Sequence, residues 1–92
     1  MRLRFAPLAL ADVASIRSHI AEDDPAAADR VVAQIAGSIS LLRDFPRLGR
    51  RGVVADALEL VVPRLPYVIV YQTPTNEDVV ILRVYHAARD RQ

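Results

Sequence analysis

Tyr67-Val68-Ile69-Val70-Tyr71 and Val79-Val80-Ile81-Leu82-Arg83-Val84-Tyr85 are two β-rich runs that are apolar at odd and even positions alike. Side chains alternate between the faces of a strand, so a sheet built from these runs is apolar on both sides. A strand in a small antiparallel sheet needs only one such face, because the other meets water. Counted in twos, Val80, Leu82 and Val84 point one way from the last run, and Val79, Ile81, Arg83 and Tyr85 the other. In the preceding run Val68 and Val70 oppose Tyr67, Ile69 and Tyr71. One face is expected to be the chain's own core. The aromatic-bearing face, with Arg83 set in it, is the better candidate for a partner surface: Tyr and Arg suit half-wet interfaces, and large exposed apolar patches seldom persist on a free monomer. A sheet packed on both sides by the chain itself, or a homodimer, would satisfy the same pattern.

Outward from these runs, the rest of the chain reads as elements that place them. Arg2 to Ala6 is a short first strand, with Leu3 and Phe5 on one face and Arg2 and Arg4 on the other. From Leu8 to about Glu22, Val13, Ile16 and Ile20 recur at helical steps. Asp24-Pro25 is a restart signal, with Asp24 as N-cap and Pro25 in the first turn. The second helix carries the strongest stripe, Ala28, Val31, Val32, Ile35, Ile39 and Leu42, and stops at Phe45-Pro46. So short a connection makes the helices an antiparallel hairpin, and Gly37 is expected to let the first helix approach closely. Leu48 to Ala55 reads as a loop, Ala57 to Val62 as a half-buried strand, Pro63-Arg64-Leu65-Pro66 as a turn, and Gln72 to Asp78 as the hairpin connection. The order is strand, two helices and a three-strand meander. It predicts one α+β domain over residues 1–92 in two layers, the helical hairpin packed on one face of a mainly antiparallel sheet.

Composition narrows the function classes. Ninety-two residues make one domain with one core, and at 52% hydrophobic but 5% aromatic that core is aliphatic. The formal net charge is +1, from 12 basic and 11 acidic residues, so the chain is no general magnet for phosphate backbones and direct DNA binding by it alone is not expected. Every basic residue is Arg, which removes lysine acid–base and Schiff-base chemistry. There is no cysteine, hence no disulfide, thiol nucleophile or cysteine metal site. Neither a signal-peptide pattern at Met1 to Pro7 nor an apolar run of about 20 residues is present, so a cytoplasmic protein without membrane association is expected.

Few residues carry reactive chemistry. His86 follows the last strand and is followed by Arg89 and Arg91, an arrangement suited to proton transfer beside a phosphate, although a histidine at a strand end is more often structural. His19 is assigned to helix packing or solvent. Glu59 lies on the non-core face of its strand, where a general base and an exposed partner for an Arg are both open readings. Metal and cofactor sites are not expected: the histidines are far apart, no HExxH or Asp-rich loop is present, and Gly49-Arg50-Arg51-Gly52 lacks P-loop spacing.

With that layout, the whole chain resembles the RelE/ParE superfamily of bacterial toxin–antitoxin toxins. The matching segments are Ala9-Leu10-Ala11-Asp12-Val13, Asp24-Pro25-Ala26-Ala27-Ala28, Phe45-Pro46-Arg47-Leu48-Gly49-Arg50 and Leu58-Glu59-Leu60-Val61-Val62-Pro63. They continue through Pro66-Tyr67-Val68-Ile69-Val70-Tyr71 and Ile81-Leu82-Arg83-Val84-Tyr85-His86-Ala87-Ala88-Arg89-Asp90. Their order and spacing carry the resemblance, not any single piece.

The resemblance implies a growth-inhibiting toxin neutralised by a ParD-like antitoxin encoded beside it. The expected antitoxin surface is Tyr67, Ile69, Tyr71, Val79, Ile81 and Tyr85, with an open sheet edge as a second docking site. ParE-like members resemble inhibitors of DNA gyrase, and RelE-like members resemble ribosome-dependent mRNA endoribonucleases. Pro66-Tyr67 stands where the nuclease branch often has an Arg, and Lys is missing, so the ParE-like branch is favoured. For that branch the resemblance points to Arg83, His86, Arg89 and Arg91 as target contacts. In the nuclease alternative, His86, Arg83, Tyr85 and Glu59 would form the acid–base and phosphate-clamping set. A degenerate toxin that only binds its antitoxin is the third reading.

Overall fold

A computed structural model describes residues 1–90. Strand β1 (Arg2–Phe5) leads into helices α1 (Pro7–Ala21) and α2 (Pro25–Asp44), followed by β2 (Arg50–Arg51), β3 (Leu58–Val61), β4 (Tyr67–Gln72) and β5 (Asp78–His86). Both helices begin on proline, whose missing N–H is no loss in a first turn. Asp24 caps α2, its carboxylate accepting the Ala27 N–H at 3.0 Å. Pro7, read as a strand stop, is also the first residue of α1.

The sheet order is β1-β5-β4-β3-β2. Strand β1 runs parallel to β5 because the helical hairpin carries the chain across before the meander starts, and every other pair is antiparallel. The α+β layering expected from the sequence is present, with one strand more. Arg50–Arg51, inside the segment read as a loop, pairs with Glu59 and Leu58 and forms the far edge. Two residues are too few to show a period.

The face assignment reverses, and in β5 a β-bulge splits the set that strict alternation put on one side. Val70 pairs with Arg83 but Tyr71 pairs with Ile81, so Leu82 is an extra residue that shifts the alternation along β5. Before the bulge Val79 and Ile81 face the helices; beyond it Val84 does, while Arg83 and Tyr85 join Val80 on the outward side. Tyr67, Ile69, Tyr71, Val79 and Ile81, expected on the partner surface, are buried in the chain's own core with Ile35, Ile39, Leu42 and Val62.

Tyrosine can sit there because its polar tip is satisfied: the Tyr71 hydroxyl donates to the Pro46 carbonyl and accepts the Gly49 N–H, both at 2.8 Å. Gly49 is required at this point, since a Cβ on it would lie 2.7 Å from that hydroxyl oxygen. Gly37 has no such role. A Cβ there would meet nothing within 4 Å, so the close helix approach expected at Gly37 does not occur. On the outward face Val68 and Val70 are only 6% and 5% exposed. Their neighbours across the strands are Tyr85, Arg83, Glu59 and Val61.

Candidate functional site

The end of β5 is built differently from its beginning. Strand β1 pairs only with residues 78–81, so beyond Ile81 the backbone of β5 has lost its strand neighbour on that side. Helix α1 takes over. Asp12 accepts Arg83 Nε at 2.8 Å and Arg83 Nη2 at 3.0 Å, and the Val84 N–H at 2.9 Å. The forked guanidinium–carboxylate geometry is the strong form of this pair. Burial alone would raise the Asp12 pKa, but the Arg83 and Val84 hydrogen bonds and the Arg83 charge outweigh it, and the carboxyl is held below its ordinary range. Arg83 is shifted up in turn by the hydrogen bond and charge of Asp12, with a further contribution from Asp90.

Past the strand the chain closes on itself. The His86 N–H donates to Asp90 Oδ2 at 2.9 Å, and His86 Nδ1 accepts the Ala88 and Arg89 N–H groups at 3.1 and 3.0 Å. The His86 ring stands edge-on to Tyr67, its partner across the strands, at 5.4 Å between centroids. Ala87 is anchored by its N–H to the Pro66 carbonyl at 2.7 Å. Arg89 then reaches α1, where its Nη1 lies 2.9 Å from His19 Nε2. Arg91 lies outside the described residues.

The four residues of the nuclease alternative are not gathered at one point. Glu59 and Tyr85 share the outward face with a long 3.5 Å contact between Oε1 and the hydroxyl, and the Val53 N–H points at the other Glu59 oxygen from 3.4 Å. Arg83 is drawn to Asp12, and His86 lies on the opposite side of the sheet, beside Tyr67. Of the six side chains expected to meet an antitoxin, Tyr85 alone is on the outward face. The shallow depressions at the start of β1, lined by Met1, Arg2, Arg4 and Arg43, hold none of the candidate residues. Among the described residues no three His, Cys, Asp or Glu side chains are placed to hold a metal ion, and no helix is long and apolar enough to cross a membrane.

Sequence reading missed Asp12 and, for His19, the Arg89 contact; the ring is exposed, as the solvent reading had it. The one available signal was their seven-residue separation, which puts both on one side of a helix; nothing in it names partners some 70 residues away.

Comparison with known proteins adds the family dimension. The family model for the ParE toxin of type II toxin–antitoxin systems, parDE, matches residues 3–91. A Sinorhizobium fredii protein named as toxin Y4kP is 41% identical over 86 residues, covering 94% of this chain and 88% of its own. Toxin RelE2 of Caulobacter vibrioides is 37% identical over 81 residues, 88% of this chain and 89% of its own. A solved chain described as the chromosomal ParDE TA system from P. aeruginosa superposes with a TM-score of 0.82, covering 94% of this chain and 95% of that one. At 24% identity its likeness is one of fold.

Proposed function

Because this chain belongs to the ParE toxin family of type II toxin–antitoxin systems, we propose that it arrests growth by binding DNA gyrase without hydrolysing a nucleic acid itself, and that a ParD-like antitoxin neutralises it. The observation that carries this reading is what Arg83 and His86 are bonded to. In-line cleavage of RNA needs a base and an acid on either side of a phosphate and a cation free to clamp it. Here the Arg83 fork is closed on Asp12, and the Nδ1 lone pair of His86 is taken by two backbone amides. Their role is to shape the end of the chain. The near-neutral charge adds support, since a groove for ribosomal RNA draws its affinity from many unpaired cations.

In this reading Arg83, His86, Arg89 and Arg91 belong to the target-contacting segment, the site of action is the cytoplasm, and Tyr85 is the residue of the expected antitoxin set that still faces outward. The test is direct. Purified protein is incubated with gyrase and supercoiled DNA, and separately with translating ribosomes and mRNA. Stabilised cleavage complexes or lost supercoiling are expected; codon-positioned cuts in mRNA with gyrase unaffected would overturn the proposal.

A further inference from the structure

The residues that fix the C-terminal segment lie in α1, far from it in sequence. We infer that Asp12 and His19 are two posts on one side of α1 that hold segment 83–90 in a single orientation. This rests on the reading above only for what the segment touches.

The geometry comes first. Seven residues separate the posts, two turns or about 10 Å along the helix axis. Their partners, Arg83 and Arg89, follow in the same direction, so the segment is laid along the helix. Residues 88–90 are otherwise bonded within their own turn. The Ala88 and Arg89 amides go to His86 Nδ1, the Asp90 N–H to the His86 carbonyl, and the Asp90 carboxylate to the His86 N–H. Beyond Ala87, whose N–H holds the start of the turn to the Pro66 carbonyl, the Arg89 contact with His19 is the hydrogen bond among the described residues that ties the turn to another element.

The chemistry sets the protonation state. Arginine has donors only, so His19 Nε2 must be the acceptor and carry no proton. An imidazolium has no acceptor to offer and would place two cations 2.9 Å apart. His86 is used in the same sense, through Nδ1, so the two histidines grip Arg89 by its side chain and by its backbone. The charged group in contact with His19 is Arg89; near it in sequence are Arg17, paired with Asp29 of α2, and Glu22 and Asp23 in the turn after α1. Around His86 the charged groups are Asp90 and Arg89, with the Tyr67 ring against its edge.

The experiment measures amide exchange at Ala88, Arg89 and Asp90 by NMR, as protection factors that divide out intrinsic rates, at pH 8. Growth arrest on induction is scored for the same variants, a readout that does not depend on which target is hit. His19→Ala is expected to lower protection at these amides roughly five- to tenfold at pH 8, with β4 amides unchanged, and to weaken arrest. His19→Gln, whose amide oxygen can accept from Arg89, should restore both. Equal protection in the unsubstituted protein and His19→Ala overturns the latch, and so does a failure of His19→Gln to restore what His19→Ala loses. Undiminished arrest after protection is lost overturns the positioning role. Inactivity against gyrase with these results intact would sink the gyrase proposal and leave the latch standing.

Discussion

Replacing Tyr71 by Phe removes one oxygen from the middle of the core and leaves the ring in place. That oxygen bridges two points of the loop after α2, donating to Pro46 and accepting from Gly49, and so ties β4 to the chain that enters β2. Two hydrogen bonds at a net of about 1 kcal/mol each, plus up to about 1 kcal/mol for a Gly49 amide left without an acceptor, give a loss of about 2–3 kcal/mol. Against the roughly 5–15 kcal/mol that holds an ordinary domain together, this is a large fraction. It should lower the melting temperature by roughly 10–20 °C.

Urea unfolding at pH 7 checks the loss, with the denaturant slope expected unchanged. A second arm uses alkali. Burial raises the Tyr71 pKa, although the Gly49 N–H pulls the other way, so the folded value lies above the unfolded one. Its contribution to stability is then complete below about pH 10 and falls away as pH rises through the folded value. The Phe variant lacks that limb, so the gap between the two proteins should narrow above about pH 10. A variant as stable as the parent to within about 0.5 kcal/mol at pH 7 would refute the bridge. An antitoxin titration well below the melting temperature should show affinity unchanged, because Tyr71 faces the helices.

Three further substitutions read other parts of the structure. Asp12→Asn removes the Arg83 fork and weakens the bond to the Val84 amide; with the Arg83 side chain 51% exposed, the expected cost is about 1–2 kcal/mol in thermal melts at pH 7. Because the folded state depresses the Asp12 pKa, its contribution is present above the unfolded value of 3.8 and lost as pH falls through the folded one, so the variant's acid limb should be shallower. Some acid sensitivity should remain through Asp78, which is lowered by its hydrogen bond to Arg2. Asp24→Ala should cost about 1 kcal/mol by uncapping α2, read as a lower urea midpoint. Gly37→Ala should stabilise by roughly 0.5–1 kcal/mol, since the added methyl meets open space; destabilisation would show a contact at that helix face.

What was legible in the chain followed from local chemistry. Asp24-Pro25 marks a helix start because a carboxylate and a missing N–H both suit a first turn, and α2 begins there. The stripe from Ala28 to Leu42 faces the core because its spacing matches one side of a helix, and Ala28, Ile35, Ile39 and Leu42 are buried. Strand β2 was not legible, since Arg50 and Arg51 pair only because Glu59 and Leu58 lie opposite them. The sides of the sheet were inverted for two reasons. Tyrosine was read as an interface residue, whereas Tyr71 finds partners at Pro46 and Gly49 that lie over 20 residues away. Strict alternation was also carried through Leu82, where the strand does not alternate.

The bulge and the candidate site have one origin. Pairing with β1 ends at Phe5 opposite Ile81, and the extra residue Leu82 follows at once. Up to that point β1 satisfies the outer backbone groups of β5. Beyond it an unpaired N–H would be left at a partly buried position, which costs free energy comparable to a lost hydrogen bond. Asp12 supplies the acceptor for Val84, and the same carboxylate captures Arg83 once the bulge has turned that side chain away from the core. Without Leu82 in the bulge, Arg83 would take the place of Val84 toward the helices and bring a charge into an aliphatic core. The irregularity that defeats a period-two reading therefore brings Arg83 to α1 and sets the direction of the turn that carries Arg89 to His19.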